Sequence, residues 1–333
     1  MRSPSHAKAH VQVIGTGTYL PDRVLTNYDL EKLVDTTDAW ITTRTGIKER
    51  RVADKHQATS DLAVKAAHKA LQDAKLSAEA VDLIIVATAT PDMFFPSTAC
   101  FVQKALGIKE AVSFDLSAAC SGFLFALDAA RRMLEEGPYK TALLIGAEKL
   151  SMITNWEDRS TCVLFGDGAG AAVLQRRPGS KGVLSTYVRS DATHTDILWV
   201  PGGGSRAPAT AEVVAKKLNT IHMEGKEVFK LAVHKMISAI HEALRLAHKK
   251  DTDLALLIPH QANLRIIEAI AKRVHVPRER IFVNLQKYGN MSAATTIVAL
   301  DEARREGRVR EGDLVALVAF GAGLTWGAAV IQF

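Results

Sequence analysis

Cysteine is scarce in this chain: Cys100, Cys120 and Cys162 are the only three in 333 residues, and no two have CxxC spacing. So sparse and odd a set excludes a disulfide framework, offers no zinc-ligand pattern and points to a reducing, cytoplasmic compartment. Aromatic residues are also few, at 6%, and no lysine/arginine tract is interleaved with them. The positive excess, 42 − 36 = +6, therefore lacks the stacking partners of a nucleic-acid reader, and it predicts an acidic partner without naming one. The opening residues, MRSPSHAKAHVQVIGTG, contain no uncharged hydrophobic run, so no signal peptide is expected. One twenty-residue stretch has no charge, LVALVAFGAGLTWGAAVIQF at 314–333, which is long enough to span a membrane. Gly321, Gly323 and Gly327 break it and no basic cluster follows it. It reads as two buried strands about a glycine turn, without membrane insertion.

Short apolar strands alternate with longer amphipathic segments: VQVIGTG, DLAVKAAHKALQDAKL, VDLIIVATAT, then TALLIGAEKL and GAGAAVLQRR. The pattern restarts at GVLSTYVRSD, with helices expected around 225–248 and 262–275. DLALLIPHQ, a strand at IFVNL, a helix over 292–306 and two last strands close it. Uncharged runs such as LIIVA and LALLI predict strands buried on both faces, hence an α/β architecture. VDLIIVATATPD resembles TDLALLIPHQAN, and FGDGAGAAVLQ resembles FGAGLTWGAAVIQF, which predicts an internal duplication with a joint near RRPGSKG at residue 180.

Cys120 stands in DLSAACSGF, before a segment in which Phe123, Leu124, Leu127, Ala130 and Leu134 recur at three- and four-residue steps. A thiol at such a helix start feels the positive end of the macrodipole, which favours thiolate; a buried structural cysteine is the alternative. A nucleophile also needs proton management and an oxyanion site. His260 follows a buried strand in LLIPHQANLR, and Asn290 precedes a helix start in KYGNMSAAT. Taken singly, each also reads as a solvated turn residue.

Together DLSAACSGF, PHQANLRI and YGNMSAAT resemble the Cys-His-Asn triad of β-ketoacyl-acyl-carrier-protein synthase III, the initiating condensing enzymes of the thiolase-like superfamily. TDAWITTRTGIKERR, FGDGAGAAVL, HMEGKEVFK and AFGAGLTWG extend the likeness over essentially the whole chain. The resemblance implies a thiolase-like fold with two duplicated βαβ-rich halves, 1–180 carrying the cysteine and 181–333 carrying histidine and asparagine, in a layered α-β-α-β-α sandwich. It implies that Cys120 takes an acyl group from acyl-CoA, with the backbone N–H groups of Cys120 and Ala322 as oxyanion donors. His260 and Asn290 then donate to the enolate formed as malonyl-acyl-carrier protein decarboxylates. That role wants neutral His260 with Nε2–H, its tautomer fixed by a neighbour the sequence does not identify.

By the same resemblance Trp40 and Arg159 sandwich the adenine of CoA, Arg44 reaches the nucleotide and Asn263 the pantetheine arm. Lys230, Arg265, Lys272 and Arg273 receive acyl-carrier protein, and Phe95 closes the partner's acyl pocket in a homodimer. No cofactor or metal is implied. Two departures stand out: Ala322 where relatives often have glycine, and Met291 where they commonly have threonine. Loading of unusual primers for polyketide or signalling-molecule synthesis remains an alternative. A thiolase would need a second reactive cysteine, which is missing after Cys162. A hydroxymethylglutaryl-CoA-type synthase would need a glutamate base, and Glu148 in GAEKLS reads as structural. A non-catalytic carrier-binding module fits poorly with an intact triad.

Overall fold

The computed structural model describes residues 9–333; the first eight residues, part of the opening read for a targeting signal, lie outside the described residues. The first sheet is built from β1 (Ala9–Tyr19), β2 (Leu83–Ala87), β3 (Val112–Leu116), β4 (Thr141–Lys149) and β5 (Asp167–Pro178), in spatial order β1-β5-β4-β2-β3. The second holds β6 (Gly182–Ser190), β7 (Leu256–Pro259), β8 (Leu314–Gly321) and β9 (Thr325–Gln332), in order β7-β8-β9-β6. In both, the first strand lies antiparallel to the last, the last antiparallel to the one before it, and that one parallel to the next inward. Where the first sheet adds β3, parallel to β2, the second has only a parallel bridge from Leu257 to Ile281. The expected strand at IFVNL is thus reduced to one paired residue. Its chain turns away because the Asn284 N–H is taken by the buried Gln261 side chain.

Helices fill the layers between and outside the sheets. α1 (Thr59–Ala74) and α2 (Thr98–Ala105) pack their alanine and leucine faces against one side of the first sheet. α3 (Gly122–Glu136) lies between the sheets: Phe123, Leu124, Leu127, Ala130 and Leu134 are all buried, in one cluster with Leu83 and Ile85 below and Leu256, Ile258, Val315 and Leu317 above. α4 (Gly225–Leu246) and α5 (Leu264–Ala271) cover the outer face of the second sheet, and α6 (Ala294–Arg305) joins α3 in the centre. This is the α-β-α-β-α sandwich. All five residues of LIIVA in β2 are buried, as a strand covered by helices on both faces requires.

The uncharged run at 314–333 is the hairpin β8–β9, and no described helix is long and apolar enough to cross a membrane. Small residues set the central spacing. A Cβ on Gly146 would stand 2.6 Å from the Ala293 carbonyl oxygen, and one on Gly321 2.6 Å from the Cys120 nitrogen. The first contact brings the loop before α6 onto the first sheet, and the second brings the end of β8 onto the cysteine.

Candidate active site

Cys120 lies in a short 3-10 turn, Ala119–Ser121, directly before α3. Ala119 holds a left-handed backbone, with φ of 45°. The Ser121 hydroxyl donates to the Thr325 carbonyl at 3.0 Å, and the Thr325 hydroxyl lies 2.9 Å from the carbonyls of both Ala118 and Ala322. These contacts clip the cysteine turn to the β8–β9 hairpin. Ala322 N–H has no hydrogen-bond partner among the described residues, and the left-handed φ of 130° falls on Gly323 beside it, so alanine at 322 keeps a free donor without strain.

His260 ends β7, its N–H bonded to the Val318 carbonyl at 2.7 Å. Gln261, fully buried, donates to the Pro259 and Phe282 carbonyls and accepts from Asn284, holding the loop that aims the histidine. Burial pushes His260 down to about 3, so the imidazole is neutral. Its Nδ1 lies 2.6 Å from the Thr295 hydroxyl. That hydroxyl is also 3.0 Å from the Ser292 carbonyl, which accepts the Thr295 N–H as well. The donor role expected of Nε2–H requires the hydroxyl proton to go to Nδ1 and not to that carbonyl. Thr295 is the neighbour that sequence reading left unnamed; it lies one helical turn beyond Ser292. Replacing it with valine is expected to slow condensation about tenfold while leaving acylation unchanged, with serine restoring the rate; single-turnover measurement of each half-reaction checks this.

Neutral burial of His260 also has a sign in stability. The folded pKa lies below the ordinary 6.5. The unfolded chain therefore binds the proton more readily, and stability is lost as pH falls through 6.5 toward 3. Between pH 7 and pH 5 this one group is expected to cost about 2 kcal/mol. Denaturant unfolding at both pH values should show a smaller loss in His260→Gln than in the parent chain.

Asn290 is fixed by its backbone, which bonds Leu164 O and Gly166 N, and by its side chain, whose Oδ1 accepts Ser292 N–H at 2.8 Å. That leaves the amide nitrogen free to donate within the cavity that Asn290 lines together with Cys120. Met291 turns the other way, into a buried cluster with Leu20, Tyr288, Ala294 and Val298. The departure at 291 is therefore a packing change behind the site.

The thiolate expected from the helix terminus is not what the environment favours. Burial pushes the Cys120 thiol up to about 12, against hydrogen bonds from Ser292 and Asn290, and the nearby Glu148 carboxylate raises it further. Desolvation outweighs the field of one helix end here, and the resting group is a neutral thiol.

A cavity of about 650 Å³ is lined by Cys120, His260, Asn290, Ser292 and Ala322, and its walls include Trp40, Arg44 and Asn263. Asn263 caps α5 through Arg265 N–H and donates to the Arg44 carbonyl at 3.1 Å, tying two predicted contacts together. Arg44 and Arg159 stack on Trp40, with guanidinium carbons 4.5 and 4.9 Å from the ring centre. Arg159 also pairs with Asp35 at 3.6 Å. No adenine fits between Arg159 and Trp40 at that spacing; a base would have to part them.

Lys230, Arg265, Lys272 and Arg273 are exposed, and none forms an ion pair among the described residues. Lys230 and Arg273 share a surface cleft with His234 and His241. Phe95 is 84% exposed and does not line the cavity of its own chain. Among the described residues no group of three or more His, Cys, Asp or Glu side chains could hold a metal ion.

The chain matches two family models: 3-oxoacyl-[acyl-carrier-protein] synthase III over residues 114–192, and the C-terminal part of the same synthase over 244–333. The β-ketoacyl-[acyl-carrier-protein] synthase III of Caldanaerobacter subterraneus is 56% identical over 96% of this chain and 97% of the relative. The crystal structure of the Aquifex aeolicus 3-oxoacyl-[acyl-carrier-protein] synthase III superposes with a TM-score of 0.91 at 50% identity, covering 97% of this chain and 100% of the other. A priming β-ketosynthase from the R1128 polyketide pathway superposes at 0.90 with 33% identity, covering 100% and 98%. With two family models in register and half or more of its residues shared with relatives along nearly their full length, the chain belongs to the β-ketoacyl-[acyl-carrier-protein] synthase III family of acyltransferase condensing enzymes.

Proposed function

We propose that this protein initiates type II fatty acid synthesis by condensing an acyl-CoA primer, acetyl-CoA foremost, with malonyl-acyl-carrier protein. The observation that carries this reading is the convergence of Cys120, His260 and Asn290 on one cavity from three separate strand and helix ends. Cys120 attacks the thioester carbonyl, and the backbone N–H groups of Cys120 and Ala322 take the oxyanion. CoA leaves as the thiol. Malonyl-acyl-carrier protein then loses carbon dioxide, with His260 Nε2–H and the Asn290 amide donating to the enolate oxygen. The carbanion displaces the sulfur of Cys120, giving a β-ketoacyl-carrier protein.

Trp40, Arg44 and Asn263 receive CoA at the cavity wall, with Arg159 stacked on Trp40 beside it. Lys230, Arg265, Lys272 and Arg273 steer the acidic carrier protein, an attraction that weakens with salt. Exposed Phe94 and Phe95, 85% and 84% accessible, support a homodimer in which Phe95 completes the partner's acyl pocket. The two matched sheets support division of the chain into halves at 1–180 and 181–333, and the cysteine usage supports a cytoplasmic location.

Incubation with radiolabelled acetyl-CoA is expected to label Cys120. Absence of label with acetyl-, longer and branched acyl-CoA would sink the reading. Turnover across the same primer series separates a fatty-acid initiator from an enzyme of the polyketide-priming kind.

A further inference from the structure

Arg50 has no solvent exposure and forms no ion pair among the described residues. Burial draws its guanidinium down to about 10, so it stays charged at neutral pH. Its Nε has no hydrogen-bond partner among them either. A buried cation without a counter-ion is costly, and an apolar side chain of similar volume would remove that cost. The use of the charge lies in the three acceptors it holds.

Nη1 donates to the Leu25 carbonyl at 3.1 Å and to Asn27 Oδ1 at 2.9 Å, while Nη2 donates to the Val163 carbonyl at 2.7 Å. The first two contacts are local, since Leu25 is the cross-strand partner of Arg50 in the pairing of Val24–Thr26 with Glu49–Arg51. Val163 is 113 positions away, at the end of the short helix Arg159–Cys162. From there the chain runs directly into the segment that holds Asn290. Leu164 O accepts the Asn290 N–H at 2.8 Å, and Asn290 O accepts the Gly166 N–H at 3.0 Å. Val163, Leu164 and Phe165 also line the cavity.

The stem of the arginine packs against the same junction. A Cβ on Gly166 would stand 3.1 Å from the Arg50 Cβ, and one on Gly289 would stand 3.2 Å from it. Gly289, with φ of 64°, immediately precedes Asn290. These two glycines flank the parallel bridge of Phe165 with Asn290, so their missing side chains are what lets Arg50 lie beneath it.

We propose that Arg50 is a positioning residue for Asn290: its guanidinium fixes the Val163–Gly166 segment and, through that segment, the place at which the Asn290 amide enters the cavity. The proposal rests on the reading of Asn290 as an enolate donor in condensation. Arg50 does not line the cavity and acts only through its neighbours. Its other limb does not carry the CoA wall. Asn27 Nδ2 donates to the Ile47 carbonyl at 2.8 Å and to Asp38 Oδ1 at 2.9 Å, which anchors the helix Asp38–Thr45 bearing Trp40 and Arg44 without the arginine. Lysine cannot replace the fork, because one ammonium does not span Leu25 and Val163 together.

The test measures the two half-reactions separately by rapid quench, with a thermal melt on every variant. Arg50→Lys is expected to slow condensation of pre-acylated protein with malonyl-acyl-carrier protein about tenfold, in kcat with KM unchanged, while acylation of Cys120 by acetyl-CoA stays within about twofold of the parent. In an Asn290→Ala background the same change should slow condensation by less than about twofold, because no amide is left to place. Arg50→Met, which buries no charge, should show the same split and serves should Arg50→Lys not fold. Condensation at the parent rate in a folded Arg50 variant overturns the proposal. So does an equal fall in both half-reactions, or a full additional loss in the Asn290→Ala background, either of which marks a merely structural role. Condensation at the parent rate in Asn290→Ala alone overturns the functional reading of Asn290 instead.

Discussion

Cys120→Ser is expected to abolish labelling by acyl-CoA, a loss on the order of 10⁴-fold or more in acyl transfer. The size follows from the site. The sulfur is already a neutral thiol pushed up to about 12 by burial, so catalysis draws on the intrinsic nucleophilicity of sulfur. A serine hydroxyl in the same turn is a far weaker acid than a thiol and a poorer nucleophile toward a thioester, while every surrounding donor stays in place. The variant should fold with parent stability, because sulfur and oxygen differ little in volume and the Ser121–Thr325 clip is untouched. Mass spectrometry after exposure to acetyl-CoA, with a thermal melt alongside, checks both halves of the expectation.

The second large effect separates the two half-reactions. His260→Ala and Asn290→Ala are each expected to keep acylation and to lose condensation by on the order of 10² to 10³-fold, the usual cost of removing one donor from a developing oxyanion. The double variant should lose less than the product of the two, since both donors serve one oxygen. Carbon dioxide release from labelled malonyl-acyl-carrier protein by pre-acylated variants is the direct readout. Condensation at the parent rate in His260→Ala would remove the histidine from the role assigned to it. Because His260 is neutral down to about pH 3, its donor function should impose no pH limit on condensation in the neutral range.

The meeting of Cys120, His260 and Asn290 at one cavity was legible in the sequence because each sits in a long, ordered motif at a strand or helix end. The five-layer order was legible too, since LIIVA and LALLI are too apolar for any strand with a solvent face. What escaped was relation in space. Thr295 reads as one more residue of the α6 pattern, and only the fold shows its hydroxyl turned to His260. Glu148 reads as a strand-end acid, and only the fold shows it fully buried among the Thr88, Ala89 and Thr90 donors. The charge state of Cys120 was misread for a related reason. A helix terminus can be read from periodicity, whereas the number of atoms that will bury a sulfur cannot. IFVNL had the composition of a strand, yet a single glutamine side chain took the bond its continuation needed.

The matched sheets also bear on how such a protein can change over time. The proposed nucleophile comes from one repeat and both proposed enolate donors come from the other, meeting across helices that belong to the shared interior. A single repeat, however well folded, would hold a thiol with nothing to draw it into condensation, or a pair of donors with no acyl group to act on. The two copies therefore constrain each other: a substitution tolerated in one is judged by its fit to the other.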